Sequence, residues 1–249
     1  MSGHSKWSTI KRKKGAADAK RGQVFTKLAR EITVAARSGL PDPDSNVRLR
    51  LAIQKARAEN MPKDNIDRAI QRATGADGGA QFDEVYYEGY GPGGTALMIL
   101  TMTDNRNRTV GEVRALLTRA GGTLGESGSV GWMFDQTGLI TLPVNGGDPD
   151  ELALVAIDAG ASDVQVEDGT VEVYTEPQDL HRVQEQLSAG GYDVESAELT
   201  MKPKTLMAPE QDVAVKAIRL LEKLEDLDDV QQVYSNLDVS DEVLAAVSG

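Results

Sequence analysis

Residues 75–101 read GADGGAQFDEVYYEGYGPGGTALMILT, and the change of pattern within this stretch decides the fold. Gly75-Ala76-Asp77-Gly78-Gly79-Ala80 is a linker of turn-forming residues. Ahead of it, apolar residues recur at helical spacing. Beyond it the period changes, and Asp83–Tyr90 and Thr95–Thr101 read as strands joined by Gly89-Tyr90-Gly91-Pro92-Gly93-Gly94. The loop between those strands lacks a following helix and a Gly-Lys-Ser/Thr sequence, so it reads as a hairpin turn and not as a phosphate cradle.

Upstream of the linker, three amphipathic helices follow one another. The first begins near Gln23, with Phe25, Leu28, Ile32, Ala35 and Ala36 on one side and Lys27, Arg30 and Arg37 opposite, and stops at Ser38-Gly39. The second spans about Asn46 to Ala58, with Leu49, Ala52, Ile53 and Ala56 inward. Pro62 opens the third, whose stripe is Ile66, Ala69, Ile70 and Ala73. The first 21 residues are too polar and basic to pack and read as an arm.

Downstream, helix Thr109–Ala120 is followed by glycine-rich chain to Val130, then by strands Gly131–Asp135 and Leu139–Leu142 and helix Pro149–Asp158. Asp168-Gly169 turns a hairpin between Val164–Glu167 and Val171–Tyr174. Helix Pro177–Ala189 and strand Tyr192–Met201 close this unit. A last helix, Glu210–Leu224, and strand, Val230–Tyr234, have no partners nearby in sequence, so they are expected to return to the first sheet. The expected fold is α+β: an N-terminal three-helix domain (1–75) and two α+β sandwich domains, 76–130 plus 204–249, which is discontinuous, and 131–203.

Charge divides along the same line. Residues 1–75 hold 17 Lys and Arg against 7 Asp and Glu, a balance of +10, and residues 76–249 carry −22. Such segregation suits a basic face for an anionic polymer and an acidic body that repels it. Cysteine is absent and only His4 and His181 are present, which excludes thiolate chemistry and multi-histidine metal sites; no metal or cofactor is expected. No apolar run approaches a membrane span and no secretory signal opens the chain, so a cytoplasmic location and no membrane partner are expected.

Several long motifs resemble one family. Gly3-His4-Ser5-Lys6-Trp7, Asp18-Ala19-Lys20-Arg21-Gly22 and Phe25-Thr26-Lys27-Leu28 open the match. Asn60-Met61-Pro62-Lys63-Asp64-Asn65-Ile66, Tyr87–Gly94, Thr103–Thr109, Gly121–Gly125 and Gly128-Ser129-Val130 continue it. The chain resembles the YebC family of probable transcriptional regulators, which has mitochondrial members acting as translational activators. That resemblance implies a helical domain followed by two α+β domains, nucleic-acid binding and control of gene expression.

The candidate nucleic-acid contacts begin in the arm, where Lys6, Lys11, Arg12, Lys13, Lys14, Lys20 and Arg21 could neutralise phosphates and Trp7 could stack on an unpaired base. Lys27, Arg30 and Arg37 continue that basic face along the first helix. In the third helix Lys63, Asn65, Arg68 and Arg72 point outward; they could read a groove in helix-turn-helix fashion or be an ordinary solvated face. Arg106 and Arg108, at a helix start, could clamp a phosphate, while Asn107 or Thr109 could simply cap that helix. Glu167 and Glu172 fit the outward face of their hairpin, and Glu225-Asp226 with Asp228-Asp229 read as solvated surface, so no enzymatic role and no small-molecule substrate are expected. The expected activity is DNA-binding regulation of transcription; the alternative is an RNA- or ribosome-binding translation factor. The acidic domains are left open to a protein partner.

Overall fold

The structure is a computed structural model that describes residues 18–75, 81–145, 147–167 and 169–248. The N-terminal bundle consists of α1 (Asp18–Ser38), α2 (Val47–Ala58) and α3 (Lys63–Thr74). Helix α1 starts five residues before Gln23, because Ala19, Lys20 and Arg21 are good helix formers. Leu28, Ile32, Leu49, Ile53, Met61 and Ile66 form the bundle core. Asn46 caps α2 by accepting the Leu49 N–H (3.0 Å) and donates from its amide to the carbonyls of Ala35 (2.9 Å) and Leu40 (2.8 Å), fixing the α1–α2 connection. The α2–α3 turn lacks glycine, and Asn60 supplies the left-handed backbone instead, at φ +59°.

Beyond the bundle come β1 (Asp83–Tyr90), β2 (Ala96–Thr103), α4 (Arg106–Arg119), β3 (Thr123–Leu124) and β4 (Phe134–Pro143). They are followed by α5 (Pro149–Asp158), β5 (Asp163–Glu167), β6 (Thr170–Thr175), α6 (Leu180–Ala189) and β7 (Ser196–Pro203). The chain continues through α7 (Gln211–Glu225), β8 (Val230–Ser235) and α8 (Asp241–Ser248). Two four-stranded sheets result, ordered β3-β1-β2-β8 and β5-β6-β4-β7. The fold is α+β, and the first sheet is discontinuous in sequence: β8 pairs antiparallel with β2 (Ile99 opposite Val233) some 130 residues away. Leu97 and Ile99 of β2, Val113 and Leu117 of α4, Ile218, Leu221 and Leu224 of α7, and Val233 share one buried core, which is why the C-terminal segment must return.

The chain forms two compact units, one of residues 135–202 and the other of the described residues before 135 and after 202. Two local expectations are corrected. Gly131–Asp135 and Leu139–Leu142 are not two strands: Gly131–Met133 is a short helical turn, and β4 runs unbroken from Phe134 to Pro143. Within β4 a Cβ on Gly138 would lie 2.3 Å from Thr175 Oγ1, so the residue serves close approach of β6. Glu172 does not face water, because β6 is an interior strand buried on both faces, and its carboxylate accepts the Tyr174 hydroxyl (2.8 Å). Helix α8 is an addition to the elements that the sequence pattern predicts.

Candidate nucleic-acid interface

The cations of the bundle fall into two groups. On α1, Lys27 Nζ donates to the Glu225 carbonyl, and Arg30 Nη1 donates to the Asp228 carbonyl and to Asp229 Oδ1 (2.8 Å). Gln23 on the same face donates to the Asp226 carbonyl and to Asp228 Oδ1 (3.2 Å). The Arg30 guanidinium also lies over the Phe82 ring, 5.3 Å from its centre. The turn after α7 therefore sits on the basic face of α1, offering carbonyl and carboxylate oxygens where a phosphate could have lain.

Asp229 organises that contact and is only 3% exposed. Its Oδ2 accepts from Arg108 Nη2 (2.6 Å), Thr109 Oγ1 (2.7 Å) and Thr103 Oγ1 (3.1 Å), and its carbonyl accepts the Met102 N–H (2.8 Å). Burial pushes the Asp229 carboxyl up, but the hydrogen bonds from Arg108 and Thr109 and the Arg30 and Arg108 charges outweigh it and hold the group below the ordinary aspartate value. The reading of residues 225–229 as solvated surface is thus corrected at Asp229 and at Glu225, which is also buried.

Arg106 and Arg108 sit at the start of α4. Arg106 pairs with Asp83 (2.7 Å), and Arg108 pairs with Asp229 and with Asp104 (2.7 Å), which raises the affinity of both guanidinium groups for their protons. The helix cap is Asn105, which accepts the Arg108 N–H (3.1 Å), and neither Asn107 nor Thr109; the Thr109 side chain is turned inward to Asp229.

The second group remains on the surface. Arg37 at the end of α1, Arg57 on α2, and Lys63, Arg68 and Arg72 on α3 are all exposed. Arg68 donates to the Asp64 carbonyl (3.1 Å), a bond within its own helix. Arg21 lies over the Phe25 ring at 5.6 Å. Lys20 falls in the first turn of α1. Lys6, Trp7, Lys11, Arg12, Lys13 and Lys14 lie outside the described residues. Among the described residues, no group of acidic or histidine side chains is arranged to hold a metal ion, and no helix is long and apolar enough to cross a membrane.

A feature that sequence reasoning missed lies at the other end of the first sheet. Glu88, on β1, accepts the backbone N–H groups of Gly128 (2.7 Å), Val130 (2.8 Å) and Gly131 (2.7 Å). Burial pushes its carboxyl up, and the three donors together pull it below the ordinary glutamate value. The clamped loop ends at Trp132, a residue 68% exposed. An aromatic inside a glycine-rich run was the available signal.

Fold and surface together define an α+β protein with a cationic helical module. Comparison with known proteins makes this particular: residues 5–76 match the TACO1/YebC protein N-terminal domain and residues 82–237 the TACO1/YebC second and third domain, and the chain belongs to that family. It is 59% identical to a "probable transcriptional regulatory protein" of Roseiflexus castenholzii, covering 98% of this chain and 97% of that one. It is 53% identical to a protein of the same name from Thermomicrobium roseum, covering 99% and 100%. A crystal structure of a conserved hypothetical protein from Aquifex aeolicus superposes with a TM-score of 0.85 at 48% identity, over 91% of this chain and 94% of that one.

Proposed function

We propose that this chain is a DNA-binding regulator of transcription that works in the cytoplasm and grips nucleic acid through its basic arm and the open cationic edge of the bundle. The observation that carries the reading is the division of the cations: Lys27, Arg30 and Arg108 are engaged within the protein, whereas Arg37, Arg57, Lys63, Arg68 and Arg72 face solvent on the domain whose N-terminal segment holds the arm cations. The relatives' names favour transcription over translation. The proposed division of labour follows three domains, 1–75, 76–130 with 204–249, and 131–203. The acidic remainder restricts non-specific binding and is available to a protein partner, and no catalytic step is assigned.

Affinity of the full chain for duplex DNA and for structured RNA, measured across salt, tests the reading. Neutralising about five phosphates gives a log–log slope near −4.5 on duplex. Replacing Lys11, Arg12, Lys13 and Lys14 with Ala should flatten it by up to ~3 and weaken all sequences alike. An unchanged slope would remove the arm from the interface, and preferential binding to structured RNA would move the reading to translation.

A further inference from the structure

Helix α5 carries apolar side chains on two faces, and only one face is used by the fold. Leu152 and Ala156 are buried, whereas Leu154 and Ile157 are 64% and 54% exposed. Three positions apart on a helix, those two side chains are neighbours and form one aliphatic ridge. Four large apolar side chains are exposed among the described residues from 135 to 202. Val166 and Leu199 stand singly on β5 and β7, the two edge strands of their sheet, which is ordinary; the other two share this ridge.

The same helix sets carboxylates beside the ridge. Asp150 and Glu151 lie in its first turn, Asp158 ends it, and all three are exposed. Among the described residues, no Lys or Arg pairs with any of them. Asp150 and Glu151 suit the positive end of the helix dipole, but Asp158 adds charge to the negative end, where the last turn has no basic residue. Nor does the rest of this unit neutralise the face. Residues 135–202 hold 15 Asp and Glu against two Lys and Arg. Arg182 is taken by Asp179 (3.0 Å) and the Ala159 carbonyl (2.9 Å), and Lys202 by Asp163 (2.6 Å).

These charges select the occupant. A phosphate polymer, or a second copy of this same face, would set like charge against like. An aliphatic ridge bordered by unneutralised carboxylates is complementary to a helix that carries aliphatic side chains at helical spacing among Lys and Arg. We propose that the outer face of α5 is the docking surface for a basic amphipathic helix of a partner protein; this rests on the reading above that the acidic remainder is available to such a partner. Leu154 and Ile157 supply the buried contact, and Asp150, Glu151 and Asp158 supply the selection for positive charge.

The probe is a labelled helical peptide of about 18 residues with Leu at i, i+3, i+4 and i+7 and Lys between, read by anisotropy against the full chain. The same peptide with Ser for Leu, or Glu for Lys, should bind far more weakly. Leu154→Ser with Ile157→Ser should weaken the Leu peptide about tenfold, the size expected for losing part of two aliphatic contacts, without changing its salt dependence. Asp150→Asn, Glu151→Gln and Asp158→Asn together should weaken it and flatten that dependence. The same loss of charge elsewhere in the unit, Glu176→Gln, Glu185→Gln and Asp193→Asn, should do much less. Binding untouched by the Leu154 and Ile157 pair, or weakened equally by the two charge triples, overturns the docking surface. So does a fall in the mass of the free chain when Leu154 and Ile157 are replaced, since a second copy would then cover the ridge. Duplex DNA affinity should not move with that pair, and a parallel loss there also overturns the proposal. If no peptide binds while DNA does, the surface falls alone; if the peptide docks and no DNA binds, the nucleic-acid reading falls and the surface stands.

Discussion

The two cationic faces of the helical bundle carry similar residues and meet opposite fates. On α1, Lys27 and Arg30 meet the 225–229 turn and are tied to it by hydrogen bonds, with Arg30 paired to a carboxylate that is itself buried. Around α3, Lys63, Arg68 and Arg72 meet solvent. Residue type therefore does not tell a docking cation from a binding one; what lies opposite does. The first face holds the bundle to the sheet domain, and the second is open to a polymer.

The strongest way to break this comparison is to remove Asp229. Its carboxylate serves Arg30, Arg108, Thr103 and Thr109 at once, and truncation takes a shared counter-charge from two guanidinium groups. Asp229→Ala should cost about 3–5 kcal/mol, the usual penalty for breaking a buried ion pair from one side. Urea unfolding measures it; a loss below about 1 kcal/mol, the size of an ordinary exposed pair, would mean the turn is not what holds α1. Next in size is Glu88→Gln. Both carboxylate oxygens accept backbone N–H groups, so the amide keeps an acceptor on one side only, leaves at least one donor unmet, and should cost roughly 2–3 kcal/mol. Faster amide exchange at Gly128, Val130 and Gly131 should accompany that loss, while the bundle is unaffected.

These carboxylates also set the response to acid. Asp229, Glu88 and Asp163, which accepts from Lys202 (2.6 Å), all hold their protons less tightly in the folded chain than when unfolded. A depressed folded value contributes stability that is fully present above the unfolded value, roughly 4, and is lost as pH falls through the lower folded one. Stability should therefore be flat near neutrality and drop below about pH 4. Asp229→Asn should be less stable at neutral pH and show a shallower drop; an equal drop would mean that Asp229 is not among the titrating groups.

Much of the fold was legible because it is written in periods. The stripe Leu28, Ile32, Ala35 places α1, and the isolated apolar run at Val230 with no local partner forced β8 back to the first sheet. The site was less legible because its decisive contacts join residues far apart. Nothing around Asp228-Asp229 announces that Arg108, 121 positions earlier, will pair with one of the two. Glu172 misled for a related reason: alternation predicts an outward face only for a strand with water on one side, and β6 has neighbours on both edges and is buried on both faces. Asn60 shows the opposite case: the α2–α3 turn needs a left-handed residue and holds no glycine, and asparagine tolerates the same backbone. Asn60→Ala should cost about 1 kcal/mol and Asn60→Gly close to nothing, by thermal unfolding.

The smallest effect on stability gives the sharpest test of the comparison. Arg30→Ala and the pair Lys63→Ala with Arg72→Ala remove the same kind of charge from the same bundle. If docking and binding are separate duties, Arg30→Ala should destabilise the protein, because it breaks the ion pair with Asp229, and leave the salt dependence of DNA binding unchanged, because Arg30 was not neutralising a phosphate. The α3 pair should do the reverse. These exposed residues should alter stability by no more than about 0.5 kcal/mol. They should flatten the slope of log K against log salt by up to about 2, close to one unit for each phosphate that is no longer neutralised. The two variants are best compared on one duplex over one salt series, with folding checked by urea at each end. A flattened slope for Arg30→Ala would show that the acidic turn releases α1 when nucleic acid arrives. An unchanged slope for the α3 pair would remove Lys63 and Arg72 from the interface.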